Sequence, residues 1–310
     1  MATLNQTIRD SGATSNVLTA EQAEFYSKTL LSTLVPELRL TKFASMPGAT
    51  SIPKNAGDKI SWRRFASLAK VTSALTEGVT PEGVNLSVTK IDSTVAQYGS
   101  FVTISHMADV AALDKLKVEA VEIIGRNAAE SIEAITATAM FGGTSVYQAG
   151  GVATRLLTDT TITAADILNT KAMLVKANVK KINGEYIMLV PNKVANDIMQ
   201  LTEWKEVNYN NHDGVYSGDL GKMYGVRLIE MSEDFIAFYD GLGAGGKDVY
   251  GCLMFGEGYF GMPDIAGSSK PEVIIQPPTD PLHQRYTIGW KVCFAVKRLN
   301  ESCAVRLEVC

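Results

Sequence analysis

The chain has 310 residues, 46% hydrophobic and 20% charged, with a formal net charge of −4 at pH 7. That length carries a sizeable core, and the composition is that of a folded globular protein rather than a disordered or fibrous one. The acidic balance argues against a protein that grips nucleic acid directly. No apolar stretch approaches the roughly 20 residues of a membrane helix, and the polar residues 1–10 lack a signal-peptide core, so the chain reads as cytosolic.

Residues 1–18 are rich in Thr, Ser, Asn and Ala and read as an arm without a core of its own. Thr19-Ala20-Glu21-Gln22 fits a capping box, Tyr26, Leu30 and Leu34 recur on one face, and Pro36 ends this predicted helix. From Asp58 the pattern alternates, with Ile60 and Trp62 on one face of a strand and Arg63 and Arg64 on opposite faces. Gly78, Pro81 and Gly83 mark a turn, after which Val84, Leu86 and Val88 alternate and a further strand runs over 95–104. Two arms of about 20 residues at roughly 3.3 Å each reach on the order of 60 Å, beyond the radius of a domain this size. A two-stranded ribbon that long is marginal in water and needs a surface, most simply another copy of the protein.

Leu113, Leu116, Ala120, Ile124, Ala128, Ile132, Ile135 and Ala139 at helical spacing predict a helix of about 27 residues, roughly 40 Å long, ending at Gly142-Gly143. Glu119, Glu122, Glu130 and Glu133 are expected on its solvated or subunit-facing side. A capped helix from Thr163 to about Ala177, a strand over 186–190 and a Pro-started helix over 192–201 follow. Strands over 226–231, 235–239 and 249–255 complete a mixed α/β unit, with polar loops at 205–221 and 241–246. The chain then returns to strands at 272–276, 286–299 and 303–309.

The motifs that suggest chemistry are incomplete. Residues 241–246 spell GxGxxG, but a strand follows where phosphate binding needs a helix N-terminus, so a hairpin loop is expected. Gly221-Lys222 is not a phosphate loop, because Tyr216 replaces its first Gly and Met223 its Ser or Thr. Ser51/Lys54 and Ser67/Lys70 have SxxK spacing without companion motifs, and His106, His212 and His283 have no ligand partners at metal spacing. Cys252, Cys293, Cys303 and Cys310 form no CxxC pair and read as buried or incidental thiols, the alternative being a disulfide between subunits through Cys310.

Taken in order, residues 26–43 (YSKTLLSTLVPELRLTKF), 52–65 (IPKNAGDKISWRRF), Leu75 to Pro81, Gln97-Tyr98-Gly99 and 280–290 (DPLHQRYTIGW) resemble the major capsid family of N-four-like tailed phages over nearly the whole chain. The resemblance implies an α+β phage major capsid fold of the Hong-Kong-ninety-seven type. Its parts map to an N-terminal arm (1–52), an extended β-hairpin loop (53–100), a peripheral domain with a long spine helix (101–160 and 270–310) and a mixed α/β axial domain (161–269). It implies a structural subunit, not an enzyme, without cofactor or metal, that self-assembles as hexamers and pentamers into an icosahedral shell. The virion so formed contains double-stranded DNA without specific binding, and is assembled in the host cytoplasm without a membrane.

Implied partners are further copies of the chain, a portal, a decoration protein where one is present, and a separate scaffolding protein. About 50 residues before the loop leave no room for the cleaved scaffolding segment of some relatives. Other relatives form a Lys–Asn isopeptide; Lys59 and Lys70 lie in the loop, but no residue identifies a partner and no cross-link is predicted. Candidate contacts between subunits are Tyr26, Leu30, Trp62, Arg63, Arg64, Phe65, Glu77, Pro81 and Glu82. Trp62, Phe65 and one of the two arginines come first, since aromatic and Arg side chains are favoured anchors; intramolecular packing is the competing reading. Alternatives in function are an encapsulin-like nanocompartment shell housing enzyme cargo, and an α/β nucleotide-binding enzyme built around 241–246.

Overall fold

The computed structural model describes residues 40–44, 51–78, 80, 82–112, 116–209, 220–267, 271–276, 280–282 and 284–310. The helix expected over 19–35 lies outside them, as do Leu113, His212 and His283.

Strand β1 (Lys59–Phe65) pairs antiparallel with β2 (Val88–Thr94), from Lys59 opposite Thr94 to Phe65 opposite Val88. The hairpin is shorter than expected, because β3 (Ala96–Ser105) pairs with a later strand instead of extending it. The cause is Val95: its side chain is buried with Ile52 and Ala295, and its N–H donates to the Asp58 carbonyl at 2.8 Å, so the chain turns inward after Thr94. Seven residues per strand at about 3.4 Å each give a ladder of roughly 24 Å, with the rest of the loop outside it.

Helix α1 (His106–Ala111) is capped by the Ser105 hydroxyl, which accepts the Ala108 N–H at 3.2 Å. Helix α2 (Leu116–Phe141) carries the expected stripe, with Ile124, Ala128 and Ile132 buried. Glu133 departs from expectation: it is 2% exposed rather than solvated, because its carboxylate accepts the main-chain N–H of Leu40 at 2.9 Å. After β4 (Val146–Gln148), helix α3 (Ala164–Lys176) starts at the cap expected at Thr163, and that cap is a capping box, Thr163 and Asp166 each bonding the other's main chain. Strand β5 (Tyr186–Pro191) runs into α4 (Asn192–Gln200), for which Pro191 stands at the N-cap. Helix α5 (Thr202–Tyr209) occupies the start of the segment expected as loop; Trp204 anchors it, buried and donating Nε1–H to the Leu220 carbonyl at 3.3 Å. Strands β6 (Val226–Met231), β7 (Val249–Phe255), β8 (Glu272–Gln276), β9 (Arg285–Phe294) and β10 (Ala304–Val309) follow.

The described residues form two compact units, one of 98–130 and 271–292, the other of 40–97, 131–267 and 293–310. In the larger unit the sheet order is β4-β10-β7-β5-β6, with Lys222–Met223 beyond β6 and Phe238–Tyr239 paired to β7. The β4/β10 and β5/β6 pairs are parallel, and all three pairs on β7 are antiparallel. Every residue of β5 is buried, as its unbroken apolar run requires of a strand with neighbours on both edges and covered faces. Ile167, Thr170 and Leu174 of α3 and Val194, Ala195 and Ile198 of α4 are buried as well. Strand β10 is also wholly buried although it carries Arg306 and Glu308. The Glu308 carboxylate accepts from Arg155 Nη2 at 2.5 Å and Nε at 2.9 Å, and from Arg306 Nε at 3.0 Å.

In the smaller unit β9 lies between β3 and β8, and its alternation buries Ile288, Trp290 and Val292. Trp290 Nε1–H donates to Asn127 Oδ1 of α2 at 2.9 Å. Glycines hold β3 close to β9: a Cβ on Gly99 would stand 2.5 Å from the Trp290 carbonyl oxygen, and one on Gly289 would stand 2.9 Å from Phe101 Cβ. Both belong to segments that carry the family resemblance. Gly99→Ala is therefore expected to cost about 1–3 kcal/mol through overpacking. Denaturant unfolding of the unassembled subunit checks this, and an unchanged midpoint would contradict the close approach.

Candidate assembly surface

Residues facing each other across an antiparallel ladder share a face of the ribbon. One face carries Ile60 opposite Ser93, Trp62 opposite Ile91 and Arg64 opposite Thr89. It is the rooted face. Ile60 packs on the small cluster of Ile52, Val95 and Ala295, Ser93 is buried, and Trp62 and Ile91 are half-buried. Arg64 donates from Nη1 to Asn300 Oδ1 at 2.6 Å and to the Leu299 carbonyl at 3.4 Å. The Trp62 Nε1–H is shielded from solvent without an acceptor among the described residues.

The other face carries Lys59, Ser61, Arg63 and Phe65 opposite Thr94, Asp92, Lys90 and Val88, all exposed. Asp92 accepts from Ser61 Oγ at 2.6 Å and pairs with Lys90 Nζ at 3.1 Å; the Ser61 hydrogen bond first, and Lys90 second, hold its carboxyl below the ordinary value. From the end of the ladder outward, every described residue between Arg63 and Lys90, these two included, is exposed. Large apolar side chains are among them: Phe65, Leu68, Val71, Leu75, Val84, Leu86 and Val88.

The sequence candidates thus fall into three groups. Arg63, Phe65, Glu77 and Glu82 are exposed on the ribbon and its loop. Trp62 and Arg64 sit on the rooted face, where Arg64 bonds its own subunit. Tyr26, Leu30 and Pro81 lie outside the described residues. Asn300, which holds Arg64 in place, carries no signal in sequence, because the two stand far apart in the chain.

The chemical motifs resolve into local structure. Residues 241–246 form the loop of a hairpin in which Tyr239 pairs with Val249, with Gly241, Gly245 and Gly246 at positive φ. Lys222 pairs with Glu185 at 2.6 Å, and Ser51 Oγ accepts the Gly267 N–H at 3.0 Å. His106 stacks on Tyr286, ring centroids 6.4 Å apart. Cys252, Cys303 and Cys310 are buried, and burial pushes their thiols upward. The disulfide alternative through Cys310 is contradicted by this placement, since its Sγ lies inside the subunit, donating to the Thr158 carbonyl at 3.1 Å. Among the described residues no cluster of His, Cys, Asp and Glu offers a metal site, and no helix is long and apolar enough to cross a membrane.

The capsid asymmetric unit of cyanophage Pam1 is similar to this chain with a TM-score of 0.72 at 17% identity, over 96% of this chain and 98% of that one. The capsid of Ralstonia phage GP4 gives 0.69 at 13% identity over 96% and 98%, and that of Helicobacter pylori bacteriophage KHP30 gives 0.68 at 14% over 95% and 96%. No curated protein matches. The fold is therefore that of a phage capsid subunit, α+β as the sequence implied. A family model described as phage capsid protein matches residues 88–307, most of the chain. The chain belongs to that family, and is a structural, non-enzymatic subunit that assembles with further copies of itself into the shell of a virion.

Proposed function

We propose that the subunit closes, as hexamers and pentamers, into an icosahedral shell around a packaged double-stranded DNA genome, each ribbon and its loop lying on a neighbouring copy. The observation that carries this reading is that every described residue from Arg63 to Lys90 is exposed, on a ribbon rooted firmly in its own unit. Fully burying a Leu, Val or Phe side chain is worth about 1.5–3 kcal/mol, so a ribbon end and loop that together bear seven such residues gain substantially from a neighbour's surface. A subunit that grips several neighbours also converts later contacts into intramolecular ones.

Within this reading the arm is 1–52, the extended loop 53–100, the peripheral domain 101–160 with 270–310, and the axial domain 161–269. Trp62, Arg63, Phe65, Glu77 and Glu82, with Tyr26, Leu30 and Pro81, supply contacts between subunits, while Arg64 fixes the ribbon on its own. A separate scaffolding protein and a portal direct assembly in the host cytoplasm, a decoration protein, where one is present, binds the finished shell, and an acidic subunit contains DNA rather than gripping it. The N-four-like affiliation rests on the segments quoted above.

Electron microscopy of particles formed in cells tests this. Closed shells holding nuclease-protected double-stranded DNA are expected. Shells filled with enzyme cargo and free of DNA would move the assignment to a cellular nanocompartment, which neither the family nor the three capsids named above favours.

A further inference from the structure

The exposed face of the ribbon holds an arrangement that is unfavourable within one subunit. Arg63 and Lys90 stand directly opposite each other in the ladder, and like charges in that position repel. Lys59 adds a third cation to the same face, and Asp92, bound to Lys90 and Ser61, is its one anion. The far end of this face is apolar: Phe65 and Val88, paired across the ladder, are 62% and 47% exposed. The loop has the opposite character. Between residues 71 and 87 the only charged side chains are Glu77 and Glu82, set among the exposed Val71, Leu75, Val84 and Leu86.

We propose that the face formed by Lys59, Arg63, Phe65, Val88 and Lys90 receives the loop 77–82 of a second copy of this chain, head to tail. The proposal rests on the reading that the loop lies on a neighbour, and it names the place. Two carboxylates brought to Arg63 and Lys90 turn a repulsive pair into charge-assisted contacts, which partial burial strengthens. Phe65 and Val88 are covered at the same time by the apolar side chains flanking the two glutamates. Each copy uses one surface to give and a different one to receive, so the contact passes from copy to copy and closes into a ring. A phosphate backbone is the other ligand a cationic face could hold, but it leaves the loop's carboxylates without a role.

Charge reversal in the full chain, expressed with its assembly partners, tests this. R63E/K90E and E77K/E82K are each expected to lower the yield of closed shells at least tenfold in sedimentation and electron microscopy. The four changes combined in one chain are expected to restore it, because every receiving and giving surface then changes sign together. All positions are exposed, and the thermal midpoint of each unassembled variant shows whether it folds. For a variant that does not, K90C/E82C gives a second reading: oxidised shells are expected to yield covalent multimers on a non-reducing gel. Undiminished assembly of both double variants, no rescue by the combination, or monomer alone on that gel overturns the proposal. Loss of DNA retention in R63E/K90E with normal shells from E77K/E82K overturns it in favour of nucleic acid. Normal shells after deletion of 78–83 would instead remove the broader reading that the loop rests on a neighbour.

Discussion

Glu308→Ala is expected to destabilise the unassembled subunit by about 3–5 kcal/mol, the usual cost of breaking a buried ion pair from one side. Glu308 is fully buried and takes three hydrogen bonds from two guanidinium groups, Arg155 in bidentate fashion. Without the carboxylate, Arg306 keeps a charge in a site where its side chain is 10% exposed, with the main-chain carbonyls of Phe141 and Gly143 as its remaining oxygen partners. Arg155→Ala costs less, because Arg155 is 27% exposed and water can replace part of what it loses. Arg155 also lies 3.4 Å from the centroid of the Tyr239 ring, so that variant loosens the Phe238–Tyr239 pairing on β7 too. Denaturant midpoints decide the order. A loss under about 1 kcal/mol for Glu308→Ala, below the range for buried pairs, would show that Arg306 finds another partner or water.

Deletion of residues 78–83 is expected to leave a soluble, folded subunit whose yield of closed shells falls to background. The described residues among those deleted, 78, 80, 82 and 83, are all exposed. The ladder from Lys59 to Thr94 and the anchors Val95 and Arg64 remain. Stability should thus change little, while the surface offered to a neighbour shrinks. Circular dichroism and thermal melting report the first quantity and electron microscopy the second. Normal particles from this variant would refute the role given to the loop.

Local signals carried much of the fold. The helix start at Thr163 was legible because a cap is a local signal; the reciprocal bond from Asp166 that makes it a capping box emerges with the structure. The unbroken apolar run of β5 and the alternation of β9 likewise announce buried strands. What sequence could not show depends on distant partners. Glu133 looks like a solvated helix residue until Leu40 is placed against it. The i, i+2 spacing puts Arg306 and Glu308 on one face of a strand, but Arg155, which completes their network, is far away in the chain.

The assembly surface divides in the same way. Alternation from Ile60 to Phe65 marks a ribbon, yet no tight turn joins β1 to β2, so nothing local sets which residues oppose one another. The Arg63–Lys90 opposition emerges only with the observed register, and the inward turn at Val95 only with Ile52 and Ala295 in place.

Hydrogen–deuterium exchange across residues 63–90, compared between unassembled subunit and closed shells, tests most directly whether this stretch rests on another copy. The expected result is fast exchange of the loop 66–87 in the free subunit and strong protection in the shell, with β5 protected in both. Equal, fast exchange of the loop in both states would contradict it.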